Sequence, residues 1–576
     1  MFKFLKRLKS LWWLVALNVV LICVQVSFDI LLPSLMGRVV AAIQNNQDMS
    51  KILYNSIAMV FIALASGITS TSICFISSHI TAKMMARVRY ELYAKISTFS
   101  SNEMNKYSIA SLITRTTNDI TNVSNTYTLL FRFLLYGPLL TIGSFVFLLI
   151  KGSKWQLLVL ILGAIALLGV VIFAIVRVVL PKFDIIQKKI DKVNLITKEN
   201  LEGLRVVRAY NAESYQKDKF SRINESLTSD DKFANRLLGL LSPSIQLIVG
   251  ILMIGITLVS ASLIEQKQFE FADLTVVVQF AGLLLTGLIL MVIIFILIPR
   301  STICAKRINE IIETDPIIKD NPKTGVFNEV GTIEFKNVSF TYPGGDAPSL
   351  KNISFKVNKG ETLAFIGATG AGKTTLLNLI LRFYDTTEGD VLVDNLNVKN
   401  YALNDLMKKF GYVPQKPYLF HDSLKNNVTL GRMDASKEEL DEALEISQSS
   451  EFVSKLTNNI EYEISQGGKN VSGGQRQRLS IARAIIMKPE IFIFDDSFSA
   501  LDYKTDKVVR ASIKSRCKGI TNIIVAQRVG TIMDADQIIV LDNGNMVGKG
   551  THKELLKSCK VYKEIALSQL SKEELK

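Results

Sequence analysis

Gly367-Ala-Thr-Gly-Ala-Gly372-Lys373-Thr374-Thr375 is the stretch that decides how this chain reads. It satisfies G-x-x-x-x-G-K-[ST] in full. Residues 362–366 before it are strand-like, and Lys373–Phe383 after it have a helical pattern. Glycines there let successive backbone N–H groups wrap a phosphate, and the helix N-terminus favours its charge. In this pattern the lysine reaches the terminal phosphates and the Thr374 hydroxyl ligates Mg²⁺. Gly367, Thr369, Gly370, Ala371, Gly372, Lys373, Thr374 and Thr375 are the candidate ATP-binding residues.

Downstream, Ile491-Phe-Ile-Phe494 reads as a buried strand that delivers Asp495 to the phosphate site. An apolar strand ending in Asp is the Walker B arrangement, with Asp495 holding Mg²⁺ through water. Between the two lies Val471-Ser-Gly-Gly-Gln475-Arg-Gln-Arg478, a second Gly-rich entry to a helix. Strand-like runs at Gly331–Ser339, Glu361–Gly367 and Asn522–Ala526 alternate with helical stretches. This predicts a three-layer α/β domain over 331–576 with a mainly parallel core sheet.

The N-terminal half has a different character. The chain has 576 residues, 48% of them hydrophobic, and only 21% are charged. That length requires at least two domains. Six long charge-free runs predict membrane helices at about 11–36, 52–82, 127–150, 155–180, 237–264 and 274–299. The transmembrane domain is expected over 11–305 and a linker over 306–330. Residues 1–10, with Lys3, Lys6, Arg7 and Lys9, predict an amphipathic helix on the membrane surface rather than a cleaved signal, because the apolar run that follows is too long.

Lys and Arg crowd the segment from Lys83 to Arg115 and the segment from Lys182 to Arg236. The positive-inside rule places both segments, both termini and the α/β domain in the cytoplasm. Each segment continues an apolar run, so a helix is expected to project from the membrane, turn and return. The turns are expected near Tyr107–Arg115 and Tyr210–Lys219. Asn18, Gln25 and Asp29 fall on one face of the first span. That face lines the bundle interior, and Asp29 either attracts cationic amphiphiles or bonds a neighbouring helix.

The net charge of +15 belongs in cytoplasmic loops, and the hydrophobicity argues against a nucleic-acid partner. Five cysteines without a C-x-x-C pair, and three scattered histidines, predict neither a disulfide scaffold nor a zinc site.

Taken together, six spans, the phosphate loop, Asp495 and Ser472-Gly473-Gly474-Gln475 resemble an ABC exporter half-transporter. The resemblance implies a six-helix transmembrane domain, all-α and with domain-swapped helices, followed by an α/β P-loop ATP-binding-cassette domain. It implies roles by local match. Tyr342 in Phe-Thr-Tyr-Pro resembles the residue that stacks on adenine, and Gln415 in Tyr-Val-Pro-Gln resembles the glutamine that senses Mg²⁺. Ser499-Ala-Leu-Asp502 resembles the loop that crosses the dimer interface, and the two cytoplasmic turns resemble coupling helices.

Two residues depart from the family pattern. Asp496 stands where the family has the Glu that positions water, and Gln527 stands where it has a switch His. Asp is one methylene shorter, and Gln cannot carry the imidazolium charge. Both changes fall on one ATP site. The chain is therefore identified with the degenerate subunits of heterodimeric bacterial multidrug exporters. A second, non-identical half-transporter, the lipid bilayer of the plasma membrane and a small amphipathic substrate are the implied partners. Lipid or glycolipid flipping, peptide export and a homodimeric exporter are the alternatives on the same fold.

Overall fold

The computed structural model describes Phe4 and residues 10–150, 154–320 and 330–570. The surface helix expected over 1–10 and the linker residues 321–329 fall largely or wholly outside that set. Two compact units emerge: Met1–Ile96 with Ala110–Glu313, and Ser97–Ile109 with Thr314–Lys576.

Among its described residues the first unit holds helices and no strand. Among the described residues six passages are long and apolar enough to cross a membrane: Trp12–Gln44, Met49–Ser97, Ile109–Ile150, Trp155–Glu202, Glu213–Glu265 and Phe271–Glu313. Their helices are α1 (Trp12–Gln44), α2 (Met49–Ser97), α4 (Ile109–Thr114), α5 (Ile120–Phe133), α6 (Tyr136–Ile150), α7 (Trp155–Glu202), α9 (Glu213–Gly239), α10 (Leu241–Glu265) and α11 (Phe271–Glu313), with α3 (Ser101–Lys106) and α8 (Leu204–Ala209) in the turns. The helices outrun the apolar segments that announced them. At 1.5 Å per residue α2 is roughly 70 Å long, more than twice the roughly 30 Å of hydrocarbon. Its polar continuation lacks Pro and Gly, so nothing ends the helix at the membrane surface. For the same reason α11 runs to Glu313, past the boundary expected at 305.

Both turns begin earlier than expected, although residues 107–108 and 210–212 do break the helices within the predicted stretches. The first short helix, Ser101–Lys106, precedes the expected turn at Tyr107–Arg115. Ser100 and Glu103 start it as a reciprocal cap, the Ser100 N–H donating to Glu103 Oε2 at 2.8 Å. The second, Leu204–Ala209, precedes the expected Tyr210–Lys219 because Gly203 interrupts α7. The chain has already resumed helix at Glu213.

Within the membrane unit α6 and α11 pack face to face. A Cβ on Gly287 would lie 2.7 Å from Gly137 O, so the two glycines let the backbones touch. Asn18 is buried and donates through Nδ2 to Phe131 O at 2.8 Å. Asp29 accepts from Ser66 Oγ at 2.9 Å and from Tyr136 OH at 2.8 Å. The polar face of α1 therefore bonds neighbouring helices. Arg115, in the third passage, reaches Arg307 O and Glu310 Oε2 on α11, each at 3.0 Å.

Among its described residues the second unit holds three sheets. Its strands are β1 (Ile333–Phe340), β2 (Leu350–Val357), β3 (Thr362–Gly367), β4 (Glu388–Val393), β5 (Leu396–Asn397), β6 (Phe410–Val413), β7 (Asp422–Ser423), β8 (Glu463–Ile464), β9 (Ile491–Asp495), β10 (Thr521–Val525), β11 (Gln537–Asp542) and β12 (Asn545–Gly550). The central sheet has the order β12-β11-β3-β10-β9-β6, and β7 and β8 form a short pair of their own. Its ladders are parallel except for the edge pair β11 and β12. Strand β9 is buried along its whole length, as a strand covered on both faces must be. A four-stranded antiparallel sheet, β2-β1-β4-β5, accompanies it and was not foreseen. Its strands are also short and alternating, and sequence spacing does not say which sheet a strand joins.

Segment Ser97–Ile109 folds with this unit. Glu103 Oε1 accepts from Ile317 N at 3.1 Å, and Asn105 Nδ2 donates to Tyr384 OH at 2.9 Å.

Candidate nucleotide site

The parallel sheet brings the site together. Strand β10 lies between β3 and β9, so the ends of all three emerge side by side. Strand β3 ends at Gly367, β9 at Asp495, and β10 leads through Ala526 into Gln527. Ligands of open parallel sheets bind outside these carboxyl ends.

The loop after β3 is held by backbone shape. Gly372 has φ +102°, and a Cβ there would meet Leu350 Cδ2 at 2.7 Å and Ser349 O at 3.1 Å. Only glycine fits that turn. Lys373 opens the helix Lys373–Ile380 and donates back to Gly367 O at 2.7 Å and Ala368 O at 2.8 Å. Its amine thus spans the mouth of the loop. Burial pushes its pKa down, while Asp496 and Asp495 pull the other way. The helix expected to reach Phe383 stops at Ile380, and Arg382 turns away with φ +50°.

Thr374 Oγ1 donates to Asp495 Oδ1 at 3.3 Å. A hydroxyl and a carboxylate beside a phosphate loop are hard oxygen donors, the set a magnesium ion takes. Burial raises the Asp495 pKa, and neighbouring Asp496 raises it further against Thr374 and Lys373. Gln415 follows β6, and its Nε2 donates to Asp496 Oδ2 at 3.2 Å. Gln527 Nε2 donates to the same oxygen at 2.8 Å. Asp496 is 8% exposed and has φ +48°, a rare conformation for a residue with a Cβ. Its backbone N–H bonds Val525 O at 2.9 Å, which docks the end of β9 on β10.

The Tyr342 OH meets Thr375 Oγ1 at 3.1 Å, within hydrogen-bond reach. Its ring stands edge-on to Phe340 and Tyr384, with centroids 4.8 and 5.1 Å away. Tyr384 escaped the sequence reading. It is buried between Tyr342 and Asn105, and no motif marks it.

The remaining candidates stand elsewhere. Ser472 caps the helix Gly473–Ile486: Ser472 N donates to Gln475 Oε1 at 2.8 Å and Gln475 N to Ser472 Oγ at 3.2 Å. Asp502 caps the helix Tyr503–Arg516 by accepting from Thr505 N at 3.0 Å. That bond and the others at the cap hold its carboxyl below the usual range. Among the described residues no hydrogen bond joins Ser472, Gln475 or Asp502 to the loop 367–374.

A phosphate loop, a buried Asp beside a Thr hydroxyl and a six-span membrane unit on one chain define a membrane protein that binds ATP. The comparisons agree. Residues 15–289 match the ABC transporter transmembrane region and residues 350–499 the ABC transporter family. An uncharacterized ABC transporter ATP-binding protein of Mycobacterium tuberculosis (strain H37Rv) is 35% identical, covering 84% of this chain and 83% of its own. A second uncharacterized ABC transporter ATP-binding protein, YfiB of Bacillus subtilis (strain 168), is 32% identical over 99% of both chains. The ATP-dependent lipid A-core flippase of Escherichia coli (strain K12) is 27% identical, covering 90% of this chain and 89% of its own. The structure of a bacterial Atm1-family ABC exporter with ATP bound superposes with TM-score 0.83 at 23% identity, over 98% of this chain and 99% of that one. This chain belongs to the ABC transporter family. It is an ATP-hydrolysing transporter subunit with the exporter fold, six apolar helical passages followed by the nucleotide-binding domain.

Proposed function

We propose that this chain is the degenerate-site half of a heterodimeric exporter in a bacterial plasma membrane, with its termini and nucleotide-binding domain in the cytoplasm. It moves hydrophobic or amphipathic compounds outward by alternating access. Its own phosphate loop binds ATP, with Mg²⁺ held by Thr374 and Asp495, and hydrolyses it slowly. Its Ser472–Gln475 completes the competent site of a non-identical partner.

The observation that carries this reading is the state of Asp496. Both Gln415 and Gln527 donate to one of its oxygens. A carboxylate that must orient water is here shorter by one methylene and engaged by two neutral amides. No imidazole stands at position 527 to carry charge toward a γ-phosphate. General-base positioning contributes about 10²–10⁴-fold in rate, so a site without it binds more readily than it turns over. In such an assembly ATP drives closure because it binds the closed state better, and hydrolysis at the partner's site resets it. Tyr342, whose OH lies within reach of Thr375 Oγ1, serves as the adenine platform.

The test compares ATP turnover of the purified chain alone with turnover of the chain coexpressed with a partner carrying Glu after its Walker B Asp. Slow turnover alone and brisk, substrate-stimulated turnover together support the reading. Brisk turnover by this chain alone overturns it. Lipid flipping is the second reading, favoured by the similarity to the lipid A-core flippase over 90% of this chain. Translocation of a labelled lipid in proteoliposomes, without export of amphipathic dyes, would select it.

A further inference from the structure

The membrane unit contains a groove apart from the nucleotide site. It measures about 680 Å³ and lies between residues 10–14 and one face of α2. Its lining is graded: Trp13, Phe75, Ile76 and the His79 ring form one part, and Lys83 and Arg87 a basic part. Phe75, His79, Lys83 and Arg87 recur every four residues. They therefore form one stripe along the helix, each step advancing about 6 Å. The stripe changes from apolar to basic where the charge-free run of α2 ends, at Lys83. That is the depth at which hydrocarbon gives way to headgroups. Beyond it, α2 continues to Ser97, where the nucleotide-binding unit's first segment begins.

The apolar wall is built of rings. Phe75 and His79 stack with centroids 6.4 Å apart, and Trp13 and Phe75 are 65% and 73% exposed. Lys83 makes no ion pair among the described residues. An amphipathic groove with cations at one end and aromatic surface at the other matches a molecule of the opposite polarity.

We propose that this groove binds an anionic glycerophospholipid from the leaflet on the nucleotide-binding side. Its phosphate sits at Lys83 and Arg87, and its acyl chain lies along Trp13 and Phe75. Charge complementarity selects the anionic lipid over a zwitterionic one, since both supply the same chain but only one carries net negative charge. A free phosphate would leave the aromatic wall without a partner.

The chain has three tryptophans, Trp12, Trp13 and Trp155. In full-length protein carrying Trp12→Phe and Trp155→Phe, Trp13 alone reports on the groove. The protein is placed in nanodiscs of phosphatidylglycerol and phosphatidylcholine in equal parts, with the acyl chains of one lipid brominated. Bromine on phosphatidylglycerol is expected to quench Trp13 at least twice as strongly as bromine on phosphatidylcholine. That preference should shrink with rising salt and disappear in Lys83→Gln/Arg87→Gln. The salt series needs no change in the basic residues, so it stands even if the double variant misfolds. Equal quenching by the two brominated lipids in the unaltered groove overturns the proposal. Loss of the preference on adding millimolar glycerol 3-phosphate also overturns it, by showing a phosphate site rather than a lipid site.

Discussion

Gln527 Nε2 donates to Asp496 Oδ2 at 2.8 Å, which joins the switch position to the residue after Walker B inside one subunit. The pair binds the two departures from the family pattern into one arrangement, so they should be reverted together. Asp496→Glu with Gln527→His restores reach and charge at the same point. Turnover at this chain's own site should rise by about 10–100-fold, part of what a positioned base contributes. Asp496→Asn in the heterodimer should leave turnover within about threefold, because the proposed competent site uses the partner's carboxylate. Steady-state ATP hydrolysis measures both. Collapse of turnover in Asp496→Asn would place hydrolysis here instead.

Asp495 predicts a pH dependence. Burial raises its pKa, and Asp496 adds to the effect. The folded state therefore favours the protonated form more than the unfolded chain does. That contribution to stability is present below the ordinary carboxylate value and is lost as pH rises through the raised one. Metal binding runs the other way, because only the ionised carboxylate holds a cation. Mg²⁺-dependent ATP affinity should weaken as pH falls from 7 toward 5, while affinity for ATP without Mg²⁺ changes less. Nucleotide titrations at stepped pH, with and without Mg²⁺, check this. Identical profiles would remove Asp495 from the metal.

Lys409 predicts where the domain is brittle. The lysine and Asp394 are both buried, 2.7 Å apart, and Glu490 closes the other side at 2.6 Å. Burial alone would lower the lysine pKa, but its bonds to Asp394 and Glu490 raise it instead. Asp394 also accepts from Thr332 N at 2.9 Å. Lys409→Met leaves that carboxylate buried without its cation, which costs about 3–5 kcal/mol. Adding Asp394→Asn should recover part of the loss, because the amide oxygen still accepts from Thr332. Thermal unfolding of the full chain with ATP compares the two variants.

The sequence exposed those parts whose chemistry leaves a local pattern. Gly367–Thr374 needs glycines at fixed spacing, and Ile491–Asp495 needs an unbroken apolar run, so both were readable at their true positions. The six spans were readable because lipid forbids charge along a helix. Helix ends were not, because ordinary polar helix formers continue α2 and α11 beyond the membrane. The short helix Ser101–Lys106 carries a usable signal, the Ser100-x-x-Glu103 spacing of a reciprocal cap. Tyr384 had no signal, since its place between Tyr342 and Asn105 exists only after folding. The tie of Gln415 and Gln527 to Asp496 is of the same kind: three loops far apart in sequence meet at one oxygen.

Asp29 is where sequence left two meanings open, and its contacts favour one of them. Each carboxylate oxygen accepts one hydroxyl, from Ser66 on α2 and from Tyr136 on α6. These bonds tie α1 to two neighbours, which supports the helix-bonding role. Asparagine can accept at one of its atoms and donate at the other, so Asp29→Asn should preserve most of the tie. Export of a cationic dye should then stay within about twofold of the unaltered protein. Asp29→Ala removes both acceptors and leaves two hydroxyls unpaired in an apolar setting. Each such loss costs about 1–3 kcal/mol, so the thermal midpoint should fall, with cationic and neutral cargo affected alike. If Asp29→Asn instead abolished cationic export and spared a neutral substrate, the charge would be reading the cargo, and the interhelical bonds would be incidental to transport.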